Sequence, residues 1–323
     1  MNFEDMLKFL NFSLNDDKSS YTVKCSRFVE PISIEIPPMY LEKPVTRIGN
    51  SAFAGCKSLT SILIPNSVTS IGEFAFEDCE SLKSIDIPDS VTSIGAEAFS
   101  GCKSLTSIDI PDSVTSIGDH AFEYCSSLTS IVIPNSVTSI GESAFYYCES
   151  LKSIVIPDGV TSIGDSVFEG CESLTSIVIP NSVTSIGESA FLFCSSLTSI
   201  VIPDGVTSIG DHAFEYCTSL TSINIPNRIT SIGYSVFASC ESLKSIVIPD
   251  GVTSIGEWAF EDCESLTSIV IPNSVTIIGN WAFYNCTSLI IYAEASSKPS
   301  GWNSDWNYSE NNSYCRVVWK YFD

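Results

Sequence analysis

Hydrophobic residues recur along most of the chain at a fixed spacing of 23 residues. Phe and Leu each hold one position of this unit in all eleven copies, from Phe53 to Phe283 and from Leu59 to Leu289. Ile holds two further positions ten times each, from Ile62 to Ile269 and from Ile64 to Ile271. A fixed period of this length is typical of stacked repeats, in which each unit buries its core against its neighbours. The pattern therefore predicts a solenoid over residues 44–291.

Within each unit the pattern predicts one β-strand. Ile62 and Ile64 are two apart, so both point to one side of a strand, and the residues that alternate with them point to the other. Pro65 and its equivalents end the strand, because proline cannot donate to a strand ladder. Gly72 and its equivalents are expected where the backbone bends or approaches a neighbour closely.

The segment that follows the glycine is predicted to be one short helical turn. Phe76 and Cys79 are three residues apart, so they share a face of such a turn. Strands of successive coils would pair in parallel and line the concave side, because a helical turn is wider than the strand spacing. Crossover chirality predicts a right-handed coil. The predicted fold is a right-handed solenoid with a parallel concave β-sheet and short helical turns on the convex side.

Both ends depart from the repeat and are predicted to be caps. The alternating segments around Phe12 and Val23 predict a β-hairpin, and Ile34 belongs to a modified first coil. Near the other end, Trp302, Trp306 and Trp319 are expected to form a lid over the last coil, with an exposed aromatic platform for sugar as the alternative. The predicted organisation is a hairpin cap with a modified first coil, an eleven-copy solenoid and an aromatic cap, at 1–43, 44–291 and 292–323.

Composition and charge restrict the partners. The formal net charge is −23, from 15 Lys and Arg against 38 Asp and Glu. Nucleic acid and anionic membranes are excluded as partners, because both are bound through basic side chains. No stretch approaches the roughly 18 apolar residues of a membrane helix, so no membrane insertion is expected. Glu4 and Asp5 stand where a signal peptide has positive charge, which predicts a soluble and, by default, cytoplasmic protein.

The cysteines follow the same period. Of the 13 cysteines, eleven hold one position of the unit, from Cys56 to Cys286, between the Phe and the Leu. That is the place of a small buried residue, and unpaired cysteine is among the most buried residue types. The sequence therefore predicts buried reduced thiols, with disulfides or metal as the alternatives. It contains no C-x-x-C spacing for zinc, and we expect neither a metal nor a cofactor.

The segments VTSIG, AFxxC and LxSIxIP make the unit resemble the BspA-like leucine-rich repeats over about 44–291. The resemblance implies a curved, leucine-rich-repeat-like solenoid used for protein–protein contact. It also implies a secreted or cell-surface location, the alternative to the cytoplasmic one, with some members acting as adhesins. The family has no catalytic residues to transfer. The Asn ladder of ordinary leucine-rich repeats is absent, because its position holds Ser67, Ser90 and Gly159.

The candidate binding surface is the outward position of the predicted strand. Four consecutive valines there, from Val132 to Val201, form an apolar stripe beside a ladder of serines, and such a stripe can mark an interaction surface. The alternative is strand propensity combined with copying, since a block of four units is duplicated 92 residues apart. The ten candidate residues are Leu63, Asp86, Asp109, Val132, Val155, Val178, Val201, Asn224, Val247 and Val270.

Catalytic chemistry is not indicated. The only histidines, His120 and His212, hold equivalent positions of the duplicated blocks, so they are interpreted as inherited surface residues. The sequence predicts a non-enzymatic scaffold that binds a protein through its concave face. The alternative is a glycan-binding module that uses the C-terminal aromatic residues. The sequence specifies neither the partner nor the oligomeric state.

Overall fold

The computed structural model describes residues 8–26, 32–309 and 313–321. The chain divides into two compact units, Met1–Val160 and Thr161–Asp323. Each unit is a β-solenoid whose coils repeat every 23 residues or so. Among the described residues, no helix is long and apolar enough to span a membrane. The predicted caps include residues 1–7, 27–31, 310–312 and 322–323, which lie outside the described part of the chain.

The described part of the first unit contains thirteen strands. They are β1 (Leu10–Leu14), β2 (Tyr21–Cys25), β3 (Ser33–Glu35), β4 (Met39–Tyr40), β5 (Lys43–Ile48), β6 (Ser61–Leu63), β7 (Ser70–Ile71), β8 (Ser93–Ile94), β9 (Ser107–Asp109), β10 (Ser116–Ile117), β11 (Ser130–Val132), β12 (Ser139–Ile140) and β13 (Ser153–Val155). Most coils thus carry two short strands, here called the first strand (β6 and its equivalents) and the second strand (β7 and its equivalents).

The described part of the second unit continues the same alternation. Its strands are β14 (Ser162–Ile163), β15 (Ser176–Val178), β16 (Ser185–Ile186), β17 (Ser199–Ile200), β18 (Ser208–Ile209), β19 (Ser222–Asn224), β20 (Ser231–Ile232), β21 (Ser245–Val247), β22 (Ser254–Ile255), β23 (Ser268–Ile271), β24 (Ile277–Ile278), β25 (Ile290–Ala293) and β26 (Arg316–Trp319). First strands pair with first strands and second strands with second strands, always in parallel.

The predicted alternation of the first strand is confirmed. In β11, Ser130 and Val132 are exposed and Ile131 between them is buried, and the other three-residue first strands show the same pattern. The second strand is also directed inward, since Ile71 in β7 is buried. The outward face of the first strands therefore consists of side chains alone, because their backbone groups bond to the neighbouring coils.

The predicted helical turn is wrong. Instead of helix, the segment after each glycine is a series of turns in which two residues have positive φ, 56° at Phe74 and 52° at Asp78. A helix needs consecutive right-handed residues with bonds to the fourth residue before. Here the N–H groups of Phe74, Phe76 and Asp78 instead donate to carbonyls of the next coil, at 2.8–2.9 Å. This third ladder between coils replaces the intrahelical bonds.

Phenylalanines form the centre of each unit. In the first unit, Phe53 to Phe145 stack with ring centroids 5.3–5.5 Å apart and planes within 3–6° of parallel. In the second unit, Phe168 to Phe283 stack at 5.3–5.7 Å. These side chains are fully buried. Each ring contributes its large apolar area by contact with the ring of the next coil, which is why Phe is retained in every copy.

The predicted hairpin is present at the N-terminal end. β1 pairs antiparallel with β2, and β2 pairs in parallel with β5. Because β5 in turn pairs with β7, the hairpin covers the N-terminal end of the ladder of second strands. Residues 39–44 form a tight hairpin between β4 and β5, with Leu41 and Glu42 at positive φ. The domain boundaries themselves stay predictions, as do the handedness of the coil and the concave curvature of the sheet.

The glycine after each second strand lies where two coils touch. A Cβ on Gly210 would lie 2.4 Å from the backbone nitrogen of Glu188 and 2.5 Å from the carbonyl carbon of Gly187. No real Cβ contact is that short, and the obstructing atoms are backbone, which cannot swing aside. The prediction of close approach at this position is therefore confirmed. Gly205, in the same coil, would meet nothing closer than 3.5 Å.

This difference gives a matched test of the stacking. Gly210→Ala should lower the free energy of unfolding by about 1–3 kcal/mol, because the added methyl group forces two coils apart. Gly205→Ala should leave it nearly unchanged. Urea unfolding followed by circular dichroism measures both variants, and equal stability of the two would contradict the close approach of the coils.

Candidate functional site

In the first unit, five of the ten candidate residues lie on the outward side of the first strands. Leu63, Asp86, Asp109, Val132 and Val155 are all exposed. Asp86 forms a parallel bridge with Asp109, and β9 pairs β11 so that Asp109 lies beside Val132. Neighbouring parallel strands are about 4.8 Å apart. The strands therefore place two carboxylates directly beside an apolar stripe.

The apolar end of this row opens into a groove of about 520 Å³. Val132 and Val155, 69% and 61% exposed, are the exposed apolar side chains of its lining. Exposure this high is unusual for valine, whose burial stabilises a fold by roughly 1.5–3 kcal/mol. The remaining lining includes Ser130, Ser153, Asp112 and Asn135.

Asp112 and Asn135 were missed by the sequence analysis. They follow the proline that ends the first strand, at a position outside the ten candidate residues. The turn folds back beside the strand, and both side chains are exposed on the groove. The alternation of Asn and Asp after successive prolines was the available signal. With Asp86 and Asp109, Asp112 makes the acidic side of a surface that we call the acidic–apolar face: Asp86, Asp109, Asp112, Val132 and Val155.

The other five candidate residues lie in the second unit. Val178, Val201 and Val247 are exposed, Asn224 is exposed and pairs with Val247, and Val270 is half-buried. This row is apolar or neutral at every position. The second unit therefore presents outward valines without carboxylates at the outward position of the neighbouring strands, although Asp204 and Asp250 hold the place of Asp112 there.

The eleven cysteines from Cys56 to Cys286 form a ladder of buried thiols between coils. Nine ladder thiols donate to the carbonyl oxygen of the Phe 26 residues earlier, at Sγ–O distances of 3.0–3.3 Å. Burial raises the pKa of Cys79 and Cys125 to about 12, so these thiols stay protonated and unreactive. All eleven ladder cysteines are buried and reduced, as predicted.

Neither histidine is part of a larger polar cluster in the described structure. His120 lies 3.2 Å from Glu123 through Nδ1, and His212 contacts Glu215 in the same way. Each pair is a contact between residues three apart in one turn, repeated by duplication. No group of three His, Cys, Asp or Glu residues that could hold a metal ion occurs among the described residues.

Two of the three C-terminal tryptophans predicted as a lid, Trp302 and Trp306, are buried at the end of the ring stack, whereas Trp319 is half-buried. Trp302 and Trp306 are only 3% and 2% exposed. Trp306 lies edge-on to Phe283, the last ring of the stack, at 6.0 Å, and the indole N–H of Trp302 donates to the Val275 carbonyl at 3.1 Å. Rings enclosed in this way have no face left for a sugar.

Three comparisons with known proteins bear on this scaffold. A family model for the BspA type leucine rich repeat region (6 copies) matches residues 46–175 and 161–290. A leucine-rich repeat protein from Bacteroides ovatus is 30% identical, over 96% of this chain and 98% of that one, with a TM-score of 0.61. A leucine rich cell surface protein from Faecalibacterium prausnitzii is 36% identical, over 93% and 95% of the two chains, with a TM-score of 0.55.

Similarity in fold extends further than similarity in sequence. The pneumococcal vaccine antigen PcpA is 18% identical over 96% of this chain and 92% of that one, with a TM-score of 0.59, which shows a shared fold alone. No curated protein matches the chain.

Glu261, a half-buried residue of the second unit, has an altered acidity. Burial, followed by the negative charges of Asp262 and Glu215, raises its pKa from 4.5 to about 7. The folded state therefore favours the protonated form. The contribution of this group to stability is complete below about pH 4.5 and is lost as the pH rises through about 7.

Glu261→Gln should remove this loss of stability at high pH, because glutamine stays neutral. We expect the variant to match the wild type in melting temperature at pH 4.5 and to melt at a higher temperature at pH 8. Glu264→Gln, at an exposed position three residues away, serves as the control and should leave the difference between the two pH values unchanged. A Glu261→Gln protein with the wild-type pH dependence would contradict the buried-carboxyl assignment.

Proposed function

Because the chain belongs to the family of BspA-type leucine-rich repeat proteins, we propose that it is a non-enzymatic scaffold that binds a protein partner through the outward face of its first strands. The observation that carries this proposal is the exposure of Val132 and Val155 beside a row of carboxylates. Their repeat positions tolerate Asp and Asn, so the fold does not require valine there.

The acidic–apolar face is proposed as the binding surface. Its backbone hydrogen bonds are satisfied between coils, so a partner contacts side chains and does not add a strand. Removal of the apolar surface from water favours binding, and the carboxylates of Asp86, Asp109 and Asp112 select the partner by its charge. Carboxylates at the edge of an apolar patch favour a partner with Lys or Arg beside apolar side chains, and they speed its association at low salt.

We further propose that binding occurs outside the cell. A related protein that is 36% identical is described as a cell surface protein, and the two chains cover each other almost completely. An acidic surface with a net charge of −23 on the chain keeps such a protein soluble and away from anionic lipids.

Selection from a phage-displayed random peptide library tests the face directly. The wild-type protein should enrich peptides that combine Lys or Arg with apolar residues. Val132→Asp/Val155→Asp should reduce the affinity for the enriched peptides at least about tenfold, since losing 1.4 kcal/mol of apolar contact suffices for that factor. Both substitutions lie at exposed positions, so the melting temperature should stay close to that of the wild type.

Val201→Asp/Val247→Asp is the matched control, since it makes the same change at outward valines whose neighbouring strands carry no carboxylate at the outward position. It should leave peptide binding intact. Asp86→Asn/Asp109→Asn should weaken the preference for basic peptides and the dependence on salt, and adding Asp112→Asn should weaken both further. Peptides that bind the folded Val132→Asp/Val155→Asp protein with undiminished affinity would show that the partner uses another surface.

A further inference from the structure

Aromatic side chains occupy the turns of two successive coils near the C-terminal end, at residues 256–264 and 279–287. Trp258 and Trp281 hold the same position of these two turns, and their ring centroids are 4.7 Å apart. Tyr284 lies edge-on to Trp258, with ring centroids 5.7 Å apart. All three side chains are half-buried, so part of each ring remains accessible to a ligand.

Copying of the repeat does not account for the two tryptophans. The residues 92 positions earlier, in the other copy of the duplicated block, are Ser166 and Ser189. All four residues have positive φ, with 60° at Trp258 and 53° at Ser166. Bulky residues adopt this conformation rarely, so the backbone of the turn does not favour tryptophan there. Trp258 and Trp281 are therefore departures from the repeat that the scaffold does not require.

Hydrogen-bonding groups lie beside these rings. The side-chain amide of Asn285 donates to Asp262 Oδ1 at 2.7 Å, and the indole N–H of Trp258 donates to Glu257 Oε1 at 3.1 Å. The backbone N–H of Asp262 donates to the Tyr284 carbonyl at 2.9 Å, which places the Asp262–Asn285 pair next to the tyrosine. Both carboxylates already have a neutral donor, and their remaining lone pairs can accept hydrogen bonds from a ligand.

The charge of the two turns restricts the ligand. Residues 256–264 contain four carboxyl groups, residues 279–287 contain none, and neither stretch contains Lys or Arg. Phosphate, sulfate and acidic sugars are bound through basic groups and are repelled by carboxylates. Electron-rich ring faces beside hydrogen-bond acceptors instead suit a neutral sugar, whose C–H bonds pack on a ring while its hydroxyl groups donate.

We propose that Trp258, Trp281, Tyr284, Asp262 and Asn285 form a binding site for a neutral saccharide. One face of a pyranose ring packs against the accessible part of the aromatic rings. Hydroxyl groups of the same sugar donate to the carboxylate and to the amide oxygen. The saccharide site is in the second unit and the acidic–apolar face is in the first, so the two sites can be inactivated separately.

A glycan array that presents neutral and acidic oligosaccharides tests the site. The wild-type protein should bind neutral members in preference to acidic ones. Trp258→Ser and Trp281→Ser should each weaken this binding about tenfold, because each removes a stacking surface. Their melting temperatures should stay close to that of the wild type, since Ser166 and Ser189 adopt the same conformation. Asp262→Gly should also weaken binding, and Gly170 holds the equivalent position of the other block.

Phe74→Ser is the matched control, because it replaces an aromatic residue at the same position of the repeat in the first unit, where φ is 56°. It should leave glycan binding unchanged, as should Val132→Asp/Val155→Asp. A wild-type protein that binds no neutral glycan, or that prefers acidic ones, would overturn the proposal. Undiminished glycan binding by the folded Trp258→Ser and Trp281→Ser proteins would do the same, as would a site that takes an oligolysine peptide in place of a neutral glycan.

Discussion

The close stacking of successive coils is the constraint on which the rest of each unit depends. Backbones lie a strand spacing apart, about 4.8 Å, and three ladders cross each junction: first strands, second strands and the turns that contain Phe76. The ladders run in opposite senses, because Thr69 donates back to Thr46 while Phe76 donates forward to Ala98. Among the coils between Phe53 and Phe283, a change of one residue in coil length would displace all three ladders at once, whereas the 22-residue step from β23 to β25 lies at the last coil. The invariant spacing of the Phe, Cys and Gly positions follows from this junction.

The same constraint decides which residues are left to carry function. Side chains that point inward must fit the ring stack and the thiol ladder, so their identity is almost constant. Side chains on the outward face of the first strands are not constrained by packing in the core, and at this position the two units differ. Carboxylates precede valines in the first unit, whereas the second unit has valines and one Asn. Specificity in a scaffold of this kind therefore resides in departures from the repeat, and the acidic–apolar face is one such departure.

Much of this structure could be predicted from the sequence, because a period of two within a period of 23 determines which Ile residues are buried and which Ser and Val are exposed. The helical turn was not predictable in its true form. Residues with positive φ are usually Gly or Asn, but here Ser143, His120 and Trp258 adopt this left-handed conformation. Their strain of roughly 1 kcal/mol each is offset by bonds to the next coil, which only the stacked structure reveals. Asp112 was not predicted for a related reason, since the periodicity of the sequence does not show that the turn after the proline folds back beside the first strand.

The central claim is that an intact 23-residue register holds the coils together, and deletion of one coil tests it most directly. Removing residues 187–209 joins Ile186 to Gly210 and restores the register of every ladder in the second unit. Removing residues 187–208 deletes one residue less and shifts every later side chain out of register. Urea unfolding should show a cooperative transition for the first protein, with a circular dichroism spectrum like that of the full chain, and a large loss of stability for the second. Equal stability of the two deletions would contradict the account.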